Sequence, residues 1–338
     1  MRSAIVAALA LTVLAPPPND IDPAVREVML RSLRFSASEL SDLQSGKLVR
    51  HSNDTNASGE LAVVGAVRVH ASKQRFLDRV RDIVEFKRGP DVLQIGRFSN
   101  PPTLQDLAAL TVDKDDFDVR TCRVGDCAVR LPAETIRRFQ REIDASAADA
   151  QERTAALFKQ VLLDHVIAYA EGVPSGRITE YDDGDKPIRP GDEFDGVLRD
   201  APAVGALVPG LPDHLRHYPA DRLAGAEDFL YWSKERFGIA PFITVTHVVV
   251  VCPAVHTCVV ATRDVYSSRY IDASLSLSIA TDAVADPNTF YLVYANRSRA
   301  NALKGGLAGL RRALAGRRAR NSVEENLRSL KIRLEHMP

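Results

Sequence analysis

The chain places one strand and one helix early, most of its strands in its last third, and a basic helix at its end. That order, more than any motif, constrains what it can fold into. The early strand is Glu60–His70 and the early helix Ser72–Phe86. Candidate strands at Phe229–Glu235, Pro241–Cys252, Thr257–Thr281 (broken near Ser267) and Thr289–Arg297 lead into a helical tail ending at Glu335. Within the early strand, Leu61, Val63, Val67 and Val69 alternate with Ala62, Val64 and Ala66, so both faces are apolar and the strand is expected inside a sheet. Gly65 at its centre marks a bend or a close approach. The expected class is α+β, with an antiparallel sheet around a C-terminal helix. Such an arrangement leaves an interior that side chains need not fill, and interiors of that kind take apolar ligands.

The remaining segments are more local. Asp22–Leu33 predicts a helix capped by Asp22 with Pro23 in its first turn, and a second short helix follows Ser36 or Ser38 and stops before Gly46. Val92–Phe98 and Ala128–Leu131 are candidate strands, and the acidic run Asp113–Asp118 is a solvated turn or a helix start. Helices are expected at Pro132–Ile143, Ala147–Glu171, Glu193–Arg199 and Pro212–Tyr218. Residues 132–226 therefore form a helical insertion lying over the sheet of a single domain, residues 21–338. In the tail, Leu303, Leu307, Leu310 and Leu314 share one spacing with Val323, Leu327, Leu330 and Leu334. The offset between the two sets turns the stripe by about 180°. Ser322 and Glu325 match a capping box, so the tail is either two helices or one kinked helix.

Lys and Arg total 44, as do Asp and Glu, a balance that gives no footprint for nucleic acid. Residues 1–20 carry Arg2, the apolar stretch Ala4–Leu14 and Val13-Leu14-Ala15 before a cut, the pattern of a signal peptide, so an exported (periplasmic or secreted) protein is expected. The four cysteines fall in two close pairs, Cys122/Cys127 and Cys252/Cys258. Three connectivities are open, of which local pairing is the simplest in an oxidising compartment. Cys252, His256 and Cys258 do not match a zinc knuckle, and no metal or cofactor is expected. Nucleophile-elbow, His-Glu-x-x-His and phosphate-loop motifs are absent from the sequence.

The segment Leu43-Gln44-Ser45-Gly46-Lys47-Leu48-Val49 leading into Glu60–His70, the strand Phe229-Leu230-Tyr231-Trp232-Ser233-Lys234-Glu235, and Tyr291–Arg297 running into the terminal helix resemble the START-related lipid-transfer and polyketide-cyclase superfamily. The resemblance covers residues 43–98 and 228–335 and rests on order and texture. It implies a helix-grip fold that binds lipids, sterols or aromatic polyketides between sheet and helix, and it brings no invariant catalytic residues. The insertion departs from the family's compact pattern.

Five residues are candidates for contact with a ligand. His247 shares a strand face with Ile243, Val245, Val249 and Val251. It is either a head-group partner or base near neutral pH, or a core histidine tied to a neighbouring carboxylate or carbonyl. Arg269, beside Ile271 and Ala273, either clamps an anionic group or reaches out to water. Tyr231 and Trp232, with Phe229, are an aromatic wall or ordinary core, and Tyr270 lies on a polar strand face with Tyr266 and Asp272. From Arg297 to Arg333 the tail holds eleven Lys/Arg against two Glu, a face that is either simply solvated or in contact with an anionic membrane surface. The expected function is a binding protein for an apolar or amphipathic small molecule. An enzyme using the same cavity and a non-catalytic envelope scaffold are the alternatives.

Overall fold

The computed structural model describes residues 20–55, 57–184, 186–236, 240–304 and 308–336. The signal-peptide stretch Met1–Ala15 lies outside them. Asp22 accepts hydrogen bonds from the Ala24 and Val25 N–H groups and opens α1 (Pro23–Arg31). Ser36 and Glu39 form the capping box of α2 (Ala37–Gln44). After β1 (Val49–Asn53) and β2 (Glu60–Val69), the helix expected over Ser72–Phe86 divides at Asp82. This gives α3 (Lys73–Arg81) and α4 (Ile83–Phe86), the latter capped by the Asp82 carboxylate. Following β3 (Val92–Arg97) come α5 (Ala133–Glu142), α6 (Ala150–Glu171), α7 (Pro190–Arg199), α8 (Ala203–Leu207) and α9 (Leu211–His217). The chain ends with β4 (Glu227–Glu235), β5 (Phe242–Ala254), β6 (Thr257–Ser267), β7 (Ala273–Asp282), β8 (Phe290–Arg299) and α10 (Ala308–His336).

The eight strands form one open sheet in the order β1-β2-β8-β7-β6-β5-β4-β3, and every pairing is antiparallel. The early strand β2 therefore lies beside the last strand, and β3 beside β4 despite the helices between them. Residues alternate between the two faces. One face carries Val63, Val67, Phe229, Tyr231, Val248 and Leu292 against α3 and α10. The other packs Val64, Ala66, Val249 and Val293 against α1, α2 and α7 to α9, and Trp232, Ile243, Val245 and Tyr266 against α5 and α6. The helices of 132–226 thus cover the face opposite α10.

α10 is a single helix that runs alongside β2. Val323, Leu327, Leu330 and Leu334 are buried on the sheet, whereas Leu314 is 56% exposed. Leu314 of the rotated stripe points outward, and the helix continues through it without a break. Ser322 is interior to the helix and accepts from Asn326. Gly65 allows the close approach: a Cβ there would stand 2.8 Å from both Leu327 Cδ1 and Val323 Cγ1. Ala128–Leu131 is not a strand, since its backbone bonds are single contacts, Arg130 N–H to Ser268 O and Asp182 N–H to Leu131 O. The acidic run is not simply solvated either, because Asp116 is buried and lies 2.5 Å from the Lys234 ammonium.

Both cysteine pairs close locally, as Cys122–Cys127 and Cys252–Cys258, the second spanning the turn between β5 and β6. Among the described residues no helix is long and apolar enough to cross a membrane. Two disulfides fit an oxidising compartment.

Candidate functional site

The residues singled out in the sequence do not meet at one place. Tyr231 lies on the α10 face, but its neighbour Trp232 points to the opposite face and donates from Nε1 to the Asp106 carbonyl at 2.8 Å. Successive strand residues cannot share a face, so no common wall of Phe229, Tyr231 and Trp232 forms. His247 lies on the face away from α10, wholly buried, with Nε2 2.9 Å from Asp228 Oδ1 and Nδ1 3.0 Å from the Tyr169 hydroxyl. Arg269 and Tyr270 sit in the connection between β6 and β7, where Tyr270 has a positive φ of 61° and the expected alternation stops. Arg269 donates to the Asp115 and Asp116 carbonyls, both at 2.7 Å, and the Tyr270 hydroxyl bonds Ala240 N–H at 3.1 Å. Tyr266 is buried in the core under α6 rather than on a polar face.

A different group does converge, on the α10 face. Across β4 to β8 the register sets Ser233 opposite Thr244, Tyr231 opposite Thr246, Thr246 opposite Asp264, Thr262 opposite Ser276, and Ser278 opposite Tyr294. The result is a continuous polar band on a face that is otherwise apolar core. Lys87, just past α4, reaches onto it, with Nζ 3.0 Å from Glu235 Oε1 and 5.9 Å from the Tyr231 ring centre. Ser233 Oγ donates to Glu235 Oε1 at 2.7 Å, and Thr246 Oγ1 donates to Asp264 Oδ1 at 2.8 Å. Tyr294 and Ser276 hydroxyls lie 3.2 Å apart, and Asn296 Nδ2 donates to Ser276 Oγ at 3.0 Å.

Ser233, Thr244, Thr246 and Tyr231 are buried, while the rest of the band keeps contact with water. The Lys87 and Glu235 side chains retain 31% and 21% of their exposure. Asp264, Ser276, Ser278 and Tyr294 are half-buried. Burial acts to lower the Lys87 ammonium, but Tyr231, Glu235 and Asp264 outweigh it and hold the group above its ordinary range. Burial also acts to raise Glu235, yet Lys87 and the Ser233 hydroxyl keep it below the usual carboxylate range. For Asp264 burial wins over the Thr246 hydrogen bond and the Lys87 charge, and the group is pushed up to about 6. Burial raises the Tyr231 and Tyr294 phenols, which remain neutral donors at neutral pH. Chemically, the band offers one ammonium, two carboxylates and several hydroxyls, enough to bind and orient a polar head group.

Sequence reasoning missed Lys87, Glu235, Asp264 and Tyr294. The usable signal was Tyr231-x-Ser233-x-Glu235, a polar alternation on the strand's α10 face, together with Ser274, Ser276 and Ser278. A cavity of about 40 Å³ lies on the other face, between α1, α8 and strands β2, β7 and β8, with room for a few waters only. No family model, curated protein or solved structure matches the chain.

Proposed function

We propose that the protein is an exported binding protein of START-related, helix-grip type that holds a small amphipathic molecule on the α10 face of the sheet. The polar end sits on Lys87, Glu235 and Asp264, with Tyr231 and Tyr294 as donors, and the apolar part lies toward the half-buried Phe86 and Ile95. One observation carries this reading: a band of charged and hydroxyl side chains crosses an apolar sheet face and keeps solvent access at Lys87, Glu235, Asp264 and Tyr294. A buried polar group is costly unless it has partners, and a band this extensive is hard to account for by packing alone. The disulfides support export. A second reading, an enzyme in the same site, is favoured by one feature: Asp264 titrates near neutrality beside an ammonium, as an acid or base must.

Native mass spectrometry of the exported, purified protein, with organic extraction, tests the binding reading. A stoichiometric amphipathic adduct that is lost in Lys87→Met and Glu235→Gln is the expected result. A clean apo mass that persists after incubation with host lipid and metabolite extracts would refute it. Chemical change in the extracted molecule on re-incubation with wild type, but not with Asp264→Asn, would move the assignment to the enzyme.

A further inference from the structure

His214, Asp228 and His247 converge from α9, β4 and β5 on the sheet face opposite the polar band. His214 Nε2 lies 2.7 Å, and His247 Nε2 2.9 Å, from the same atom, Asp228 Oδ1. The three donor atoms all lie within 4.8 Å of one another. Both imidazoles are wholly buried, and the Asp228 side chain keeps 19% exposure. The remaining ring nitrogens are fixed as well. His214 Nδ1 is 2.9 Å from the Asp221 carbonyl oxygen, and His247 Nδ1 is 3.0 Å from the Tyr169 hydroxyl. Metal-ligating histidines have this form: one nitrogen faces the ion and the other is oriented by an oxygen behind it.

The contrast with His165 sharpens the point. That buried histidine donates from Nε2 to the Val265 carbonyl and accepts at Nδ1 from the Ile178 N–H, so one tautomer satisfies it with no carboxylate. His214 and His247 instead aim the same nitrogen at one oxygen. In a tetrahedral site with ligands about 2.0–2.1 Å from zinc, ligand atoms stand about 3.3 Å apart. The 2.7 and 2.9 Å contacts would need to widen by only a few tenths of an ångström.

We propose that His214, Asp228 and His247 form a binding site for a first-row divalent cation, zinc by their donor set. Three protein ligands leave a fourth position for water or a small anion, on the accessible side of Asp228. Arg177 and Arg263 lie against the Tyr169 ring, 5.2 and 5.9 Å from its centre, and oppose the cation. The Asp228 carboxylate is the compensating charge. The competing arrangement is a metal-free chain in which the Leu223 N–H, 3.1 Å from His214 Nδ1, donates to that nitrogen and both histidines donate to Asp228.

The full chain, stripped with chelator and dialysed, is titrated with zinc by calorimetry, and with cobalt(II) while its visible spectrum is recorded. The expected result is one ion per chain, a raised thermal midpoint, and a tetrahedral cobalt spectrum. Asp228→Asn and His247→Gln, each checked for folding by circular dichroism, should weaken binding by more than about 100-fold, and Tyr169→Phe by about 10–100-fold. His217→Ala, on the exposed side of α9, should leave it unchanged. Two results would overturn the site: no stoichiometric zinc binding by wild type, or undiminished binding in folded Asp228→Asn and His247→Gln.

Discussion

Burial against Thr246 and Lys87 holds Asp264 at about 6, above its ordinary 3.8, so the folded chain takes up this proton more readily than the unfolded chain. Between about pH 4 and pH 6 the native state binds more protons at this site, and the site's contribution to stability falls as pH rises. The penalty is complete above the folded value. Asp264→Asn removes it, so the stability of the variant relative to wild type should rise by up to about 3 kcal/mol from pH 4 to pH 7. Urea unfolding of both proteins at the two pH values reads this directly, and a flat difference contradicts it. Gly65 gives a second prediction. Alanine there gains about 0.4–1 kcal/mol from the unfolded chain but drives a methyl into Leu327 and Val323, an overpacking cost of about 1–3 kcal/mol. Overpacking outweighs the entropic gain, and Gly65→Ala should lower the urea midpoint without changing the slope.

Individual elements are held to one another by a few buried charges. Glu60, wholly buried on β2, pairs with Arg297 and with Arg299 of β8, the latter at 2.7 Å. Arg299 also reaches Glu193 of α7 at 3.4 Å and Asp200 just beyond it at 3.3 Å. This network ties the helical insertion to the strand pair at the centre of the early–late pairing. Glu60→Gln leaves two half-buried guanidinium groups short of a carboxylate, and a loss of about 1–3 kcal/mol is expected by chemical denaturation. A loss under about 1 kcal/mol would show that Glu193 and Asp200 suffice. Helices at this scale were legible where the chain writes its own signals: Asp22 with Pro23, and a cap at Ser36 or Ser38, which the structure resolves to Ser36 with Glu39. α10 was not. Its leucine offset and its Ser322/Glu325 pair are compatible with a break, and only the sheet beneath Val323 to Leu334, with open solvent beside Leu314, leaves it continuous.

For the whole molecule, the two disulfides close loops of similar, short length within single local segments. Each is worth about 2 kcal/mol by loop-closure entropy. Cys252→Ser with Cys258→Ser should lower stability by about that amount while leaving the far-ultraviolet circular dichroism intact. The sequence by itself determined the α+β class, most strand and helix positions, and the local pairing of cysteines as the simplest choice, and it narrowed Gly65 to a bend or a close approach, because each follows from neighbours within a few residues. Alternation told which residues share a face within a single strand such as β2 or β5, but not across the β6–β7 connection, where Tyr266 and the β7 serines fall on opposite faces. It could not tell which face meets α10 and which meets the insertion, because that depends on contacts between segments far apart in the chain. Tertiary structure alone decided that β2 pairs with β8, that Trp232 and His247 turn away from α10, and that Lys87, Glu235, Asp264 and Tyr294 share one face. Ser276 and Ser278 of β7 belong to that same polar band because strands from across the sheet line up beside them.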